Sequence, residues 1–185
     1  NFNGNFDFGL KAECQIPRYG DLLYDLMLEV ELPTLISDTG DIGYVNNIGL
    51  ALLDYVEIEI GGTVIDRHYR DWLHIWGELT TTQGKLDGYY RMLGKYEVHR
   101  VTSFTGGIVI IPFYFWFCRQ PGMALPLVAL QHHNVTIRVK INSLEKLWKS
   151  SDGNGPTNIP YINRASLLGD YVYLDHDERK EYAQK

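Results

Sequence analysis

Apolar and polar residues alternate with a period of two in three stretches of the chain. Val56-Glu57-Ile58-Glu59-Ile60 is the clearest; Leu28, Val30 and Leu32 alternate with Glu29 and Glu31, and Val135, Ile137, Val139 and Ile141 with Thr136, Arg138 and Lys140. A period of two sends successive side chains to opposite faces of a pleated strand, so each stretch predicts a strand with one buried and one wet face. The Gly61-Gly62 pair then turns the chain into residues 63–66, which predicts a hairpin or a sharply bent strand. Further strands are expected over residues 8–16, 108–117 and 166–174, with a weaker one over 97–103, about eight in all. Within the second of these, Ile110-Ile111-Pro112-Phe113-Tyr114-Phe115-Trp116-Phe117-Cys118 is almost unbroken in its apolar character. It is too short to span a bilayer, and a helix interior would not tolerate Pro112, so it reads as a buried strand. One stretch has helical period instead: Tyr69, Trp72, Leu73, Trp76 and Leu79 recur at three- and four-residue steps and predict a helix covering one end of a sheet.

Many short strands with long connections, and helices only as insertions, predict an all-β fold. Its expected form is an eight-stranded antiparallel jelly-roll sandwich with one or two inserted helices. The 185 residues suit a single domain over 1–185, large enough to bury a core without a metal or disulfide staple, and 13 Tyr with 18 Gly lean toward strands and turns. Expected core residues are Val56, Ile58, Ile60, Trp72, Trp76, Phe115, Trp116 and Leu174, with Gly61 and Gly62 as turn residues. Phe113 and Phe117 belong to the same aromatic set, whose spacing suggests core filling rather than a sugar- or base-stacking platform. Residues 37–43 and 150–160, rich in Gly, Pro, Ser, Asp and Asn, predict exposed loops.

Charge and motif content narrow the chemistry. A formal net charge of -6 offers no basic footprint for nucleic acid. Arg138, Lys140, Lys146 and Lys149 form the one locally basic stretch and read as the solvated face of a strand and its following turn. Cys14 and Cys118 lack the paired spacing of a zinc or redox site and are expected as reduced core thiols, bridged only if their strands prove to be neighbours. Adjacent His132 and His133 point to opposite faces of a strand, and His68 and His74 lack the i, i+4 relation that places two ligands on one helical side. A cupin-like metal site therefore has little support, and no cofactor is expected. Asp175, Asp177 and Glu178 could hold a hard cation but read more simply as solvated charge at a strand end or the cap of a following helix. Glu57 and Glu59 share a face and could be imagined as an acid and base pair; beside their apolar neighbours they read as the wet side of a sheet. No nucleophile elbow, phosphate loop or zinc-protease helix is present. Asn134-Val135-Thr136 is formally a glycosylation sequon at the start of a strand, and a lectin-like jelly roll that binds glycans through its end loops is a further alternative.

Taken together, these blocks resemble the N-terminal jelly roll of the major capsid proteins of large eukaryotic double-stranded DNA viruses, of the iridovirus and chlorella virus type. The segments that carry the resemblance are Ile16-Pro17-Arg18-Tyr19-Gly20-Asp21-Leu22, Leu28-Glu29-Val30-Glu31-Leu32-Pro33, and Val56-Glu57-Ile58-Glu59-Ile60-Gly61-Gly62 with Ile65-Asp66. They continue with Trp72-Leu73-His74-Ile75-Trp76-Gly77-Glu78-Leu79, the blocks over 112–118 and 124–131, and Tyr171-Val172-Tyr173-Leu174-Asp175 with Asp177-Glu178-Arg179. They run in family order along nearly the whole chain. The resemblance implies a structural protein without catalysis, carrying two successive jelly rolls in the full-length polypeptide. It implies a homotrimer presenting six jelly rolls in a pseudo-hexagonal capsomer, tiling an icosahedral shell with neighbouring capsomers and minor capsid proteins. It further implies an internal viral membrane nearby but not inserted, no direct nucleic acid contact, and assembly in the host cytoplasm into the virion.

Two positions depart from the family pattern as the resemblance gives it: Asn134 stands where an acidic residue is more usual, and Phe113-Tyr114 replaces an aliphatic and proline pairing. The chain opens at Asn1 without an initiator Met and stops shortly after a charged run, so it is expected to be a piece of a longer polypeptide. Residues 37–43, 82–94 and 150–160 are the expected exposed ends or subunit contacts.

Overall fold

The computed structural model describes residues 2–95 and 103–184. The weak strand expected over 97–103 lies outside them except for Ser103. Strands β1 (Lys11–Gln15), β2 (Leu22–Glu31), β3 (Leu35–Ile36) and β4 (Ile42–Tyr44) precede a short helix α1 (Ile48–Leu52). The hairpin β5 (Leu53–Ile60) and β6 (Thr63–Tyr69) runs into α2 (Arg70–Thr80) and α3 (Gln83–Met92). After β7 (Ser103–Phe104) come β8 (Ile108–Pro112), β9 (Leu125–Pro126), β10 (Val135–Ile141), β11 (Trp148–Ser150) and β12 (Arg164–Val172), and α4 (His176–Gln184) follows.

Two antiparallel sheets account for the longer strands. One has the order β1-β10-β5-β6; the other has β12-β2-β8, with β9 added to β2, and the pairs β4-β11 and β3-β7 lie outside both. Register explains the first sheet's buried face. Val139 pairs with Val56, Ile137 with Ile58 and Val135 with Ile60, so the alternation read from the sequence becomes one apolar surface across two central strands. That surface joins Leu23, Leu26, Leu28 and Val30 of β2, Val109 and Ile111 of β8, and Phe113, Phe115 and Phe117 in a single cluster. Val56, Ile58 and Phe115 are fully buried, whereas Ile60 and Trp116 are half-buried against the cluster.

Gly61 and Gly62 form the two-residue loop of the β5-β6 hairpin, with φ of 59° and 86°. Two consecutive left-handed residues match the twist of the flanking strands, which is why glycine suits both positions. A Cβ on Gly61 would also approach the His133 ring at 2.7 Å. Gly61→Ala is expected to cost about 1–2 kcal/mol, read as a lower melting temperature with unchanged secondary structure.

Several expectations are corrected. The apolar run does not continue as a strand to Phe117: the ladder with β2 ends at Pro112, and residues 116–118 close into a 3-10 turn. The cause lies in the partner strand: Asp25, at φ 60°, is the extra residue of a bulge in β2, left unpaired between Tyr24 opposite Asp170 and Leu26 opposite Gly169, and it turns β2 away. Alternation nevertheless persists, with Phe113, Phe115 and Phe117 buried and Tyr114, Trp116 and Cys118 half-buried. Helix α2 lies where its period predicted, but Leu73 and Gly77 form its buried stripe. Trp72, one position from Leu73 and so about 100° around the helix, is 38% exposed; Trp76 is half-buried and Leu79 is 79% exposed. Leu174 is likewise only half-buried. Helices α1, α3 and α4 add to the inserted α2.

Candidate functional site

The outer face of the first sheet is an ionic lattice. Glu13, Arg138, Glu57 and Arg67 stand opposite one another across β1, β10, β5 and β6, so charge alternates from strand to strand. Lys11 Nζ lies 3.1 Å and an Arg67 Nη 2.5 Å from the two Glu57 oxygens, and Arg138 bridges Glu13 and Glu59. Lys11 and Arg67 also lie over the Tyr55 ring, 5.6 and 4.9 Å from its centroid. The expectation that Glu57 lies on a wet face is overturned: it is 1% exposed, because these long side chains close over it. Burial by itself would raise its pKa, but hydrogen bonds from Arg67 and Lys11 outweigh that and hold the carboxyl below its ordinary value. A carboxylate fixed between two cations and shut from solvent has no proton-transfer role, so Glu57 and Glu59 form no acid and base pair.

A second constellation joins three of the blocks singled out in the sequence. Arg18 donates to the carbonyls of Leu130, Gln131 and His133 at 2.5, 2.6 and 3.1 Å, pinning the turns over residues 124–134. Tyr171 Oη donates to the Pro17 carbonyl at 2.9 Å, and the Tyr19 and Tyr171 rings meet edge-on at 5.9 Å. Asp21 is the hub. Its N–H donates to the Val172 carbonyl and its carbonyl accepts from Val128 N–H, both at 3.0 Å. Its Oδ2 accepts from Leu174 N–H at 2.9 Å and from Arg179 at 2.8 Å. These two donors, the Leu174 N–H foremost, hold the Asp21 carboxyl below the usual carboxylate range.

Asp175 proves to be a helix cap. Its Oδ1 accepts from the N–H groups of Asp177 and Glu178 at 3.0 and 2.9 Å, while Glu178 Oε2 reaches back to Asp175 N–H at 3.3 Å. This reciprocal capping box starts α4 and uses the carboxylates that a cation would need. Asp21→Ala should therefore free α4 without unfolding the sheets. Its amides are expected to exchange about tenfold faster, the scale of a lost hydrogen bond to a charged group, and unchanged exchange over residues 176–184 would refute the docking role.

The loops over residues 37–43 and 150–160 clasp each other. Thr39 Oγ1 donates to Asp152 Oδ2 at 2.5 Å, Asp41 N–H to Ser151 Oγ at 3.0 Å, and Thr157 N–H to the Ile36 carbonyl at 2.8 Å. The Thr39 hydroxyl and the Asn154 donors hold the Asp152 carboxyl well below its usual range. Neither loop is wholly exposed: Ser37 and Ile42 are buried in the first, and Ser150, Pro156, Asn158 and Pro160 are half-buried in the second. Residues 82–94 are mostly exposed on α3, with Tyr89 and Leu93 buried.

The remaining candidates do not converge. His132 and His133 are exposed, His74 lies on the exposed side of α2, and His68 is buried beside Phe115. Among the described residues no group of three or more His, Cys, Asp or Glu is placed to hold a metal ion. Cys14 and Cys118 are both thiols, and burial pushes the Cys118 thiol up to about 12, which leaves almost no thiolate at neutral pH. Asn134 is exposed at the rim of a groove of about 470 Å³ lined by Gln15, Ile16, Pro17, Arg18, Leu127 and Val135. Its one charged group, Arg18, is already committed to the three carbonyls.

What the sequence blocks share is contact with each other. Known proteins are similar to this chain over nearly its whole length. The model of the family described as "Major capsid protein N-terminus" matches residues 1–175. The major capsid protein of Pyramimonas orientalis virus is 41% identical over 187 residues, covering 99% of this chain and 45% of its own length. That of Phaeocystis pouchetii virus is 37% identical over 220 residues, with 99% and 42% covered. A chain of the PBCV-1 virus capsid superposes with a TM-score of 0.80 at 31% identity, over 99% of this chain and 43% of that one. The chain thus spans less than half the length of these relatives, and its fold is their jelly roll. With the family model matching residues 1–175 and relatives above 30% identity covering 99% of it, the chain belongs to the major capsid protein N-terminus family.

Proposed function

We propose that this chain is the first of two jelly rolls of a capsid subunit that serves as a structural, non-catalytic building block of a large double-stranded DNA virus. Three subunits would form a homotrimer whose six jelly rolls give a pseudo-hexagonal capsomer, and capsomers would tile an icosahedral shell with minor capsid proteins between them. The observation that carries this reading is coverage. The chain aligns almost end to end with a PBCV-1 capsid chain yet fills only 43% of it, which leaves length for a second roll. The acidic net charge of -6 supports a shell that makes no direct contact with the genome and lies over an internal membrane. The thiol state of both cysteines supports assembly in the host cytoplasm. The clasped loops over 37–43 and 150–160, with residues 82–94, would supply the ends that meet neighbouring subunits or capsomers.

Native mass spectrometry of the coat protein taken from its natural source tests this reading through chain mass and assembly mass together. A chain about twice the 21.3 kDa of this one, assembled in threes, is expected. A 21.3 kDa chain that remains monomeric would overturn it.

A further inference from the structure

We propose that His68 is an acid-sensitive latch that holds the edge strand β6 and the helix α2 against the aromatic layer. The ring is 5% exposed and stacks on Phe115, with centroids 4.9 Å apart and planes inclined by 24°; Trp72 of α2 lies 6.1 Å away. Nε2 lies 3.0 Å from Asp66 Oδ2, whereas Nδ1 is buried with no hydrogen-bond partner among the described residues. That geometry fits one protonation state. A neutral imidazole carrying its proton on Nε2 donates to Asp66 and leaves a bare nitrogen at Nδ1. A second proton would place a charged N–H where nothing accepts it.

The charged groups that act on the ring are Asp66 on β6 and Arg119 in the segment after Phe115; the first favours the imidazolium and the second opposes it. Burial is the largest influence, and the balance lowers the pKa from its ordinary value of 6.5. Val56 faces His68 from β5 and is apolar. On α2, Arg70, Asp71, His74 and Glu78 lie on or near the exposed side, away from the Leu73 and Gly77 stripe.

The element it holds is lightly fastened. Among the described residues β6 pairs only with β5, as an edge strand, and α2 buries just Leu73 and Gly77. When this edge lifts, the ring meets water and takes up a proton with an unperturbed pKa. Opening is therefore favoured as pH falls from about 6.5 toward the depressed folded value, by about tenfold for each pH unit in that window, and is insensitive to pH above it.

Hydrogen exchange of the β6 and α2 amides in the purified protein, corrected for intrinsic rates, tests the latch between pH 8 and pH 5. Wild type should show protection over residues 63–80 falling with acid while β10 stays protected. His68→Gln should show no such slope. Asp66→Asn removes the charge that favours the imidazolium, so its acid response should be steeper in total at pH 5 while protection at pH 8 changes little; this arm stands even if His68→Gln fails to fold. Flat protection in wild type, an equal slope in His68→Gln, or a weaker response in Asp66→Asn would each overturn the proposal.

Discussion

Phe115→Ala is expected to lower the free energy of unfolding by about 3–5 kcal/mol, measured by urea denaturation at neutral pH. Phe115 is fully buried, and its ring is the middle of a stack: Phe117 lies 5.8 Å away at 15°, Phe113 5.9 Å at 68°, and His68 4.9 Å at 24°. Truncation removes the transfer energy of the ring and leaves a cavity whose walls are held by both sheets and cannot close over it. Each aromatic pair lost adds about 0.5–1.5 kcal/mol beyond area. For a domain with about 5–15 kcal/mol in hand, that loss moves the protein close to the unfolding threshold and would deplete assembly-competent subunits before any contact surface is altered. Trp72→Ala is the control. Trp72 was the more obvious anchor by size, but its exposed position on α2 predicts well under half the loss. Equal destabilisation by the two variants would refute the placement of the aromatic core.

The contrast between these two residues shows what the chain made legible. A period of two survives even where the ladder stops, so Phe113, Phe115 and Phe117 could be assigned to one face although they leave β8 at Pro112. Where the strand stops could not be read, because it depends on the bulge at Asp25 of β2, remote in sequence. On α2 the helical period was visible, but its buried side was not. A stripe of Leu73 and Gly77 looks weaker than one built on tryptophans, and it prevails because Gly77 lets Tyr89 of α3 pack directly on the helix. Helix α3 itself, with exposed Gly84 and Gly88 among its few apolar residues, carries little hydrophobic period of its own.

The site was legible in a different sense. The blocks around Asp21, Leu125 and Tyr171 stood out individually, and their joint meaning appears only when the fold brings them together. Leu22 pairs with Pro126, Val172 pairs with Leu22 on its other side, and Arg179 closes on Asp21. Such a hub has no sequence spacing to find, since Asp21 lies more than a hundred residues from each of its partners. Asp175 and Glu178 did have a spacing, that of a capping box, which is a local device and was among the readings open from the sequence.

Glu57 is where a local pattern gives the wrong environment, and its removal should be the second large effect. Glu57→Ala is expected to cost about 3 kcal/mol, at the lower end for breaking a buried ion pair because Lys11 and Arg67 are themselves partly exposed and can regain water. Glu57→Leu should cost clearly less, since it fills the same space without leaving a polar group unpaired, and the difference between the two variants separates packing from charge. The sign with pH follows from the lowered pKa of the folded state. The carboxylate's contribution is fully present above the unfolded value of about 4.3 and is lost as pH falls through the folded one. Wild type should therefore lose stability below about pH 4.5 more steeply than Glu57→Leu, in a range separate from the histidine window. Chemical denaturation of both proteins from pH 7 to pH 3 measures this. Parallel curves would mean that the cations shield Glu57 without binding it, and that the lattice on the first sheet contributes by packing alone.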